Sequence, residues 1–101
     1  MSDLRDRIKS KCNRRYKTVK IQGEELTIQT LSVTEAEDYF QNPQAHRLIM
    51  WAVVDPETKN RVFLEDDEDD LMNLEAGLAL PLRLEIQRFN GFVSYEDEEG
   101  N

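Results

Sequence analysis

Apolar positions change their spacing several times along the chain, and each change predicts an element. Over 3–13, Leu4, Ile8 and Cys12 recur every four residues on a charged background, the thin stripe of a short helix. Ser2 is placed to cap it, with Asp3 and Asp6 near its positive end and Lys11, Arg14 and Arg15 near its negative end. Three apolar side chains either dock such a helix or leave it to fray. Over 18–31 the spacing drops to two: Val19 and Ile21, then Leu26 and Ile28, alternate with polar residues on either side of Gln22-Gly23-Glu24. That is the pattern of a β-hairpin with one buried face.

Ser32-Val33-Thr34-Glu35 has capping-box spacing, a hydroxyl acceptor at the cap and a carboxylate three residues on. It predicts a helix to about Gln41 that buries Val33, Ala36 and Phe40. Asn42-Pro43 predicts a third helix, with Asn42 as cap and Pro43 in the first position. Its wide apolar face is Ala45, Leu48, Ile49, Ala52 and Val53, and Asp55-Pro56 is the expected stop. Val53-Val54 and Val62-Phe63 have the composition of a second small hairpin.

Six consecutive acids, Glu65 to Asp70, precede Leu71, Met72 and Leu74. The later members of this run suit the first turn of another helix. Leu78, Leu82, Ile86 and Phe89 then share one helical face, with Leu80 and Leu84 in a second row. Pro81 is expected in the first turn or at a break near Gly77, because proline removes a donor inside a helix. Asn90-Gly91 predicts the stop, with Gly91 left-handed and Phe92 folded back onto the last turn. The expected architecture is α+β: a small, mostly helical domain with an N-terminal hairpin and a possible second one. It divides into a basic helix or arm (1–15), one globular domain (16–92) and an acidic tail (93–101).

Charge sharpens this picture. The chain has 101 residues and a net charge of -8, with 34% charged and 39% hydrophobic residues. Both fractions lie on the polar side of an ordinary globular chain. Residues 1–20 carry a net +6, 21–64 a net -4 and 65–101 a net -10. No apolar run approaches a membrane span, the charged first twelve residues do not read as a secretory leader, and one cysteine, Cys12, forms no internal disulfide.

Candidate chemistry is sparse. Nucleophilic catalysis would have to pair His46 with Cys12, Ser10, Ser32 or Ser94, and none of these lies in a glycine-rich strand-to-helix turn. One His and one Cys do not make a zinc site. A calcium loop starting at Asp66 has Leu71 where Gly is needed and Gly77 where Glu is needed. There is no nucleotide-binding glycine motif. No enzyme, cofactor or metal is therefore expected. The bases of the first twenty residues alternate around their helix and have only Tyr16 as an aromatic neighbour, which argues against a nucleic-acid stripe.

From about 16 to 92 the chain resembles the tail assembly chaperones of long, flexible-tailed (siphovirus-type) double-stranded DNA bacteriophages. The resemblance rests on the order of elements: the hairpin Thr18-Val19-Lys20-Ile21-Gln22-Gly23 to Leu31-Ser32, and the helix entered at Ser32-Val33-Thr34-Glu35. Leu48-Ile49, Val53-Val54-Asp55, Val62-Phe63-Leu64, the acids 65–70 and Leu71 … Leu74 follow. A leucine-rich helix ending Ile86-Gln87-Arg88-Phe89-Asn90-Gly91-Phe92 closes the series. In the turn after Val53-Val54-Asp55, where family members carry Gly, this chain has Lys59-Asn60.

The resemblance implies a non-enzymatic chaperone in the host bacterial cytoplasm, absent from the mature virion, that binds the tape measure protein and recruits tail tube protein. Many relatives also have a longer, frameshifted form, and Glu99-Gly100-Asn101 can be encoded by a slippery heptamer. Leu78 to Leu84 places apolar side chains on more than one side of a helix, so part of this helix or of the third is expected to face a client or a second copy. The candidate contact residues are Leu48, Trp51, Leu80, Leu84 and Phe92, with Ser32, Glu35, Asn90 and Gly91 as structural caps. The competing class is an acidic adaptor or nucleic-acid mimic occupying a basic host surface. A mimic needs carboxylates spread along one face, whereas these cluster at 65–70 and 96–99.

Overall fold

The computed structural model describes residues 2–92 and is α+β. The expected tail at 93–101 lies outside the described residues, as does the side chain of Ser2. Helix α1 (Ser2–Lys9) continues into a single 3-10 turn (Ser10–Cys12). Strands β1 (Tyr16–Ile21) and β2 (Glu24–Gln29) follow, then α2 (Val33–Gln41), α3 (Ala45–Ala52), β3 (Val53–Val54), α4 (Glu68–Met72) and α5 (Ala76–Asn90).

The hairpin forms in the expected place. Gln22 (φ 55°) and Gly23 (φ 79°) are both left-handed, the two-residue turn whose twist matches that of paired strands. Val19 faces Leu26 across it, and Val19, Ile21 and Ile28 enter the core. The second hairpin takes another form. Val53 and Val54 pair antiparallel with Ile28 and Thr27, so the sheet order is β1-β2-β3. Beyond β3 the pairing is reduced, among the described residues, to the bridge between Val54 and Arg61, with the Val62 N–H donating to the Val53 carbonyl at 3.1 Å and the Asp55 N–H to the Asn60 carbonyl at 2.8 Å. The β2 ladder also decides where α3 ends. The β-branched pair is drawn into the sheet, so the helix stops at Ala52, before Asp55-Pro56.

Three further expectations are corrected. Helix α2 has its capping box, but it buries Tyr39 and turns Val33 and Phe40 outward. The larger ring takes the core position, where its hydroxyl accepts from Gln87 Nε2 at 3.0 Å. Asn42 closes α2, its N–H donating to the Asp38 and Tyr39 carbonyls, and Gln44 stands at the start of α3. Pro81 lies well inside α5. Gly77, whose carbonyl a residue-81 N–H would meet, is an exposed residue in the first turn of α5.

The core gathers Val19, Ile21 and Ile28 from the sheet, Leu48, Ile49 and Met50 from α3, Leu71 from α4, and Leu82 and Ile86 from α5. Helix α5 packs on α3 and on β1, with Leu78 and Phe89 half-buried at its ends as their spacing predicts. Its stop is a Schellman motif: Gly91 at φ 76°, and the Phe92 N–H donating to the Gln87 carbonyl at 2.7 Å. Residues 3–13, by contrast, are exposed throughout, so the first helix is an undocked arm.

Candidate interaction surface

The root of the arm is fixed to the domain. Arg14 donates through Nη1 and Nη2 to the two Glu35 oxygens at 2.7 and 2.8 Å, and Nη1 also reaches the Thr30 carbonyl at 3.1 Å. Glu35 is simultaneously the carboxylate of the capping box: its N–H donates to Ser32 Oγ, and its Oε1 accepts from the Ser32 N–H. Burial pushes the Glu35 carboxyl up, but the hydrogen bonds from Arg14 and Ser32 outweigh it and leave it below its ordinary value. Asn90 joins the same end of the fold, its Oδ1 accepting from the Leu31 N–H at 2.7 Å and its Nδ2 donating to Ile86 O. Ser32, Glu35, Asn90 and Gly91 are thus structural caps that together tie α2, α5 and the arm root.

Around this knot lies a cleft of 530 Å³ with two different walls. One is basic, formed by Lys11, Arg14 and Arg15; the other holds Leu31, Val33, Ala36 and Phe92. Phe40 extends the apolar wall, its ring edge-on to Phe92 at 4.9 Å, and Phe92 stacks on Tyr39 at 6.4 Å. Val33 is 75% exposed and Phe40 56%. Val33, Ala36 and Phe40 share one helical face, so the stripe expected in the core is presented outward beside Phe92.

The other candidate residues separate. Leu48 is fully buried under α5 and offers no surface, which corrects its assignment as a contact. Helix α3 as a whole is buried this way at Leu48, Ile49, Met50 and Ala52, so it is α5 that carries the exposed row, Leu80 and Leu84. Trp51 sits half-buried at the rim and is engaged within the chain. Its indole N–H donates to Asp38 Oδ2 at 2.9 Å, and the Arg61 guanidinium lies 4.4 Å from its ring centroid. Hydrogen bonds from Trp51 and then from Arg47 hold the Asp38 carboxyl below its ordinary value. A second, smaller apolar groove of 210 Å³ is lined by Leu71, Met72, Leu74, Ala79 and Leu80, beside Ala45 and His46.

The residues weighed for catalysis are occupied structurally or lie apart. His46 is buried, its Nε2 3.0 Å from Glu68 Oε2. Cys12 is exposed on the arm, Ser10 Oγ donates to the Arg7 carbonyl, and Ser94 lies outside the described residues. Among the described residues no three His, Cys, Asp or Glu side chains cluster to hold a metal, and no helix is long and apolar enough to cross a membrane.

Val33 and Phe40 were missed as surface residues because periodicity identifies a stripe without saying which way it faces. The signal available was Tyr39, a larger side chain off that stripe. No protein-family model, curated protein or solved structure matches the chain.

Proposed function

We propose that this chain is a non-enzymatic tail assembly chaperone of long flexible-tailed bacteriophages, working in the host cytoplasm. It holds amphipathic helices of the tape measure protein soluble, recruits tail tube subunits, and is absent from the finished virion. The observation that carries this reading is the outward apolar face of α2. Val33, Ala36 and Phe40, continued by Phe92, have the i, i+3, i+7 layout with which helices and grooves recognise each other. A contiguous apolar face marks an interaction site, and the net charge of -8 keeps such a face in solution. The resemblance in element order supplies the identity of the client.

Co-expression tests it. With the tape measure protein encoded beside this chain, the wild type keeps that protein in the soluble fraction, and a Val33→Glu/Phe40→Glu variant returns it to the pellet. A tape measure protein equally insoluble with and without the wild-type chain contradicts the reading. An acidic mimic has that outcome and instead binds a basic host protein.

A further inference from the structure

The arm and the α3–α4–α5 groove are each incomplete, and they are complementary. Leu4 and Ile8 are 56% and 62% exposed, one turn apart on a helix of 8 residues. A helix this short does not sustain itself in water, so its helical form calls for a covering surface. The groove is apolar at its floor, and its outer lip, Met72 and Leu80, is more than half exposed.

Charge matches as well. The elements around the groove carry Glu68, Asp69, Asp70 and Glu75, with no Lys or Arg from 65 to 82. Arg47, next to His46 on α3, is engaged with Asp38 and Glu68. The arm carries Arg5, Arg7, Lys9 and Lys11 against Asp3 and Asp6, and Asp3 is already paired with Arg7.

We propose that the arm of one copy lays Leu4 and Ile8 into the α3–α4–α5 groove of a second copy, and that the exchange is reciprocal. The placement of the two parts supports a closed pair. The arm leaves the domain beside the C-terminal end of α5, where Arg15 Nη2 donates to the Phe89 carbonyl at 3.3 Å. The groove lies at the N-terminal end of the same helix, at Ala76 to Leu80. The separation is about ten helical residues, or about 15 Å. Two copies side by side with antiparallel α5 helices set each arm root near the other's groove, which closes a twofold dimer. Burial of Leu4, Ile8, Met72 and Leu80 drives the contact, and the opposite charges set its orientation and rate. No client is needed, so this goes beyond the chaperone reading and stands or falls apart from it.

The test uses the full chain alone, by sedimentation velocity and light scattering over a concentration series. The wild type is a dimer. Leu4→Glu/Ile8→Glu and Leu80→Glu each weaken it by about tenfold or more, with unchanged circular dichroism because all three side chains are largely exposed. An equimolar mixture of the two variants retains one intact arm and one intact groove, and so forms a heterodimer that neither variant forms alone. Raising salt from about 50 to about 500 mM weakens the wild-type dimer several-fold. A wild type that stays monomeric, with its arm folded on itself, overturns the proposal. So does a dimer indifferent to these substitutions, or a mixture that remains monomeric.

Discussion

Arg14 and Glu35, 21 residues apart, meet in a two-pronged ion pair that joins the root of the arm to the first turn of α2. Because Glu35 also completes the capping box, one carboxylate serves both a local and a long-range contact. Glu35→Ala removes both and is expected to cost about 2 kcal/mol, read from urea denaturation. Arg14→Ala leaves the box intact but takes the main partner from a carboxylate that is only 15% exposed, and should cost a similar amount.

Acid should weaken the fold through two carboxylates. Glu35 and Asp38 both titrate below their ordinary values of 4.5 and 3.8 in the folded state. The folded chain therefore prefers them ionised. Their stabilisation is complete above those ordinary values and is lost as pH falls through the lower folded ones. Urea midpoints should be flat from neutrality to about pH 5 and decline below it. In a Glu35→Gln/Asp38→Asn variant the decline should be shallower and the neutral midpoint lower.

Lys59 occupies a left-handed conformation, φ 66°, in the turn held by Asp55. Asp55 Oδ1 accepts from the Glu57 and Thr58 N–H groups, and its carbonyl accepts from the Lys59 N–H at 2.9 Å. This is the turn in which the resembling family carries glycine. Lys59→Gly relieves the strain and should stabilise by about 0.5–1 kcal/mol after its entropic cost. Gly91→Ala imposes the same strain at φ 76° and should destabilise by about 1 kcal/mol. Thermal unfolding of the two variants should shift in opposite directions.

Gly77 gives a less obvious sign. A Cβ there would lie 2.8 Å from Gln22 Nε2 and 3.1 Å from Glu75 Oε1. Both atoms are ends of flexible side chains on an exposed hydrogen bond, so they can swing aside. The helical preference of alanine should then win, and Gly77→Ala should stabilise by about 0.5 kcal/mol, measured in the same denaturation series.

The elements with strong local signals were legible from the residues: the Gln22-Gly23 hairpin, the Ser32/Glu35 box, the helix start within the acidic run, and the Gly91 stop. Each is fixed by contacts a few residues apart. What escaped was decided by distant partners. Val53-Val54 joined β2 because the edge of that strand was open, and Tyr39 displaced the stripe of α2 because Gln87 of α5 and Phe92 just beyond its stop meet it. Of the candidate contacts, Leu80 and Leu84 are exposed as their second-row position suggests, whereas Leu48 and Trp51 are claimed by the core and by Asp38. A hydrophobic period marks a face, and only the tertiary neighbours decide which face turns inward.

The most direct measurement is binding of a purified amphipathic tape measure segment to the full-length chain, by titration calorimetry, for the wild type and for Val33→Glu/Phe40→Glu. Both side chains are more than half exposed, so the variant should keep its urea midpoint. Saturable binding by the wild type, weakened by about tenfold or more in the variant, is the predicted result. Absence of binding by the wild type, or equal affinity for both proteins, would contradict a chaperone that holds its client on the outer face of α2.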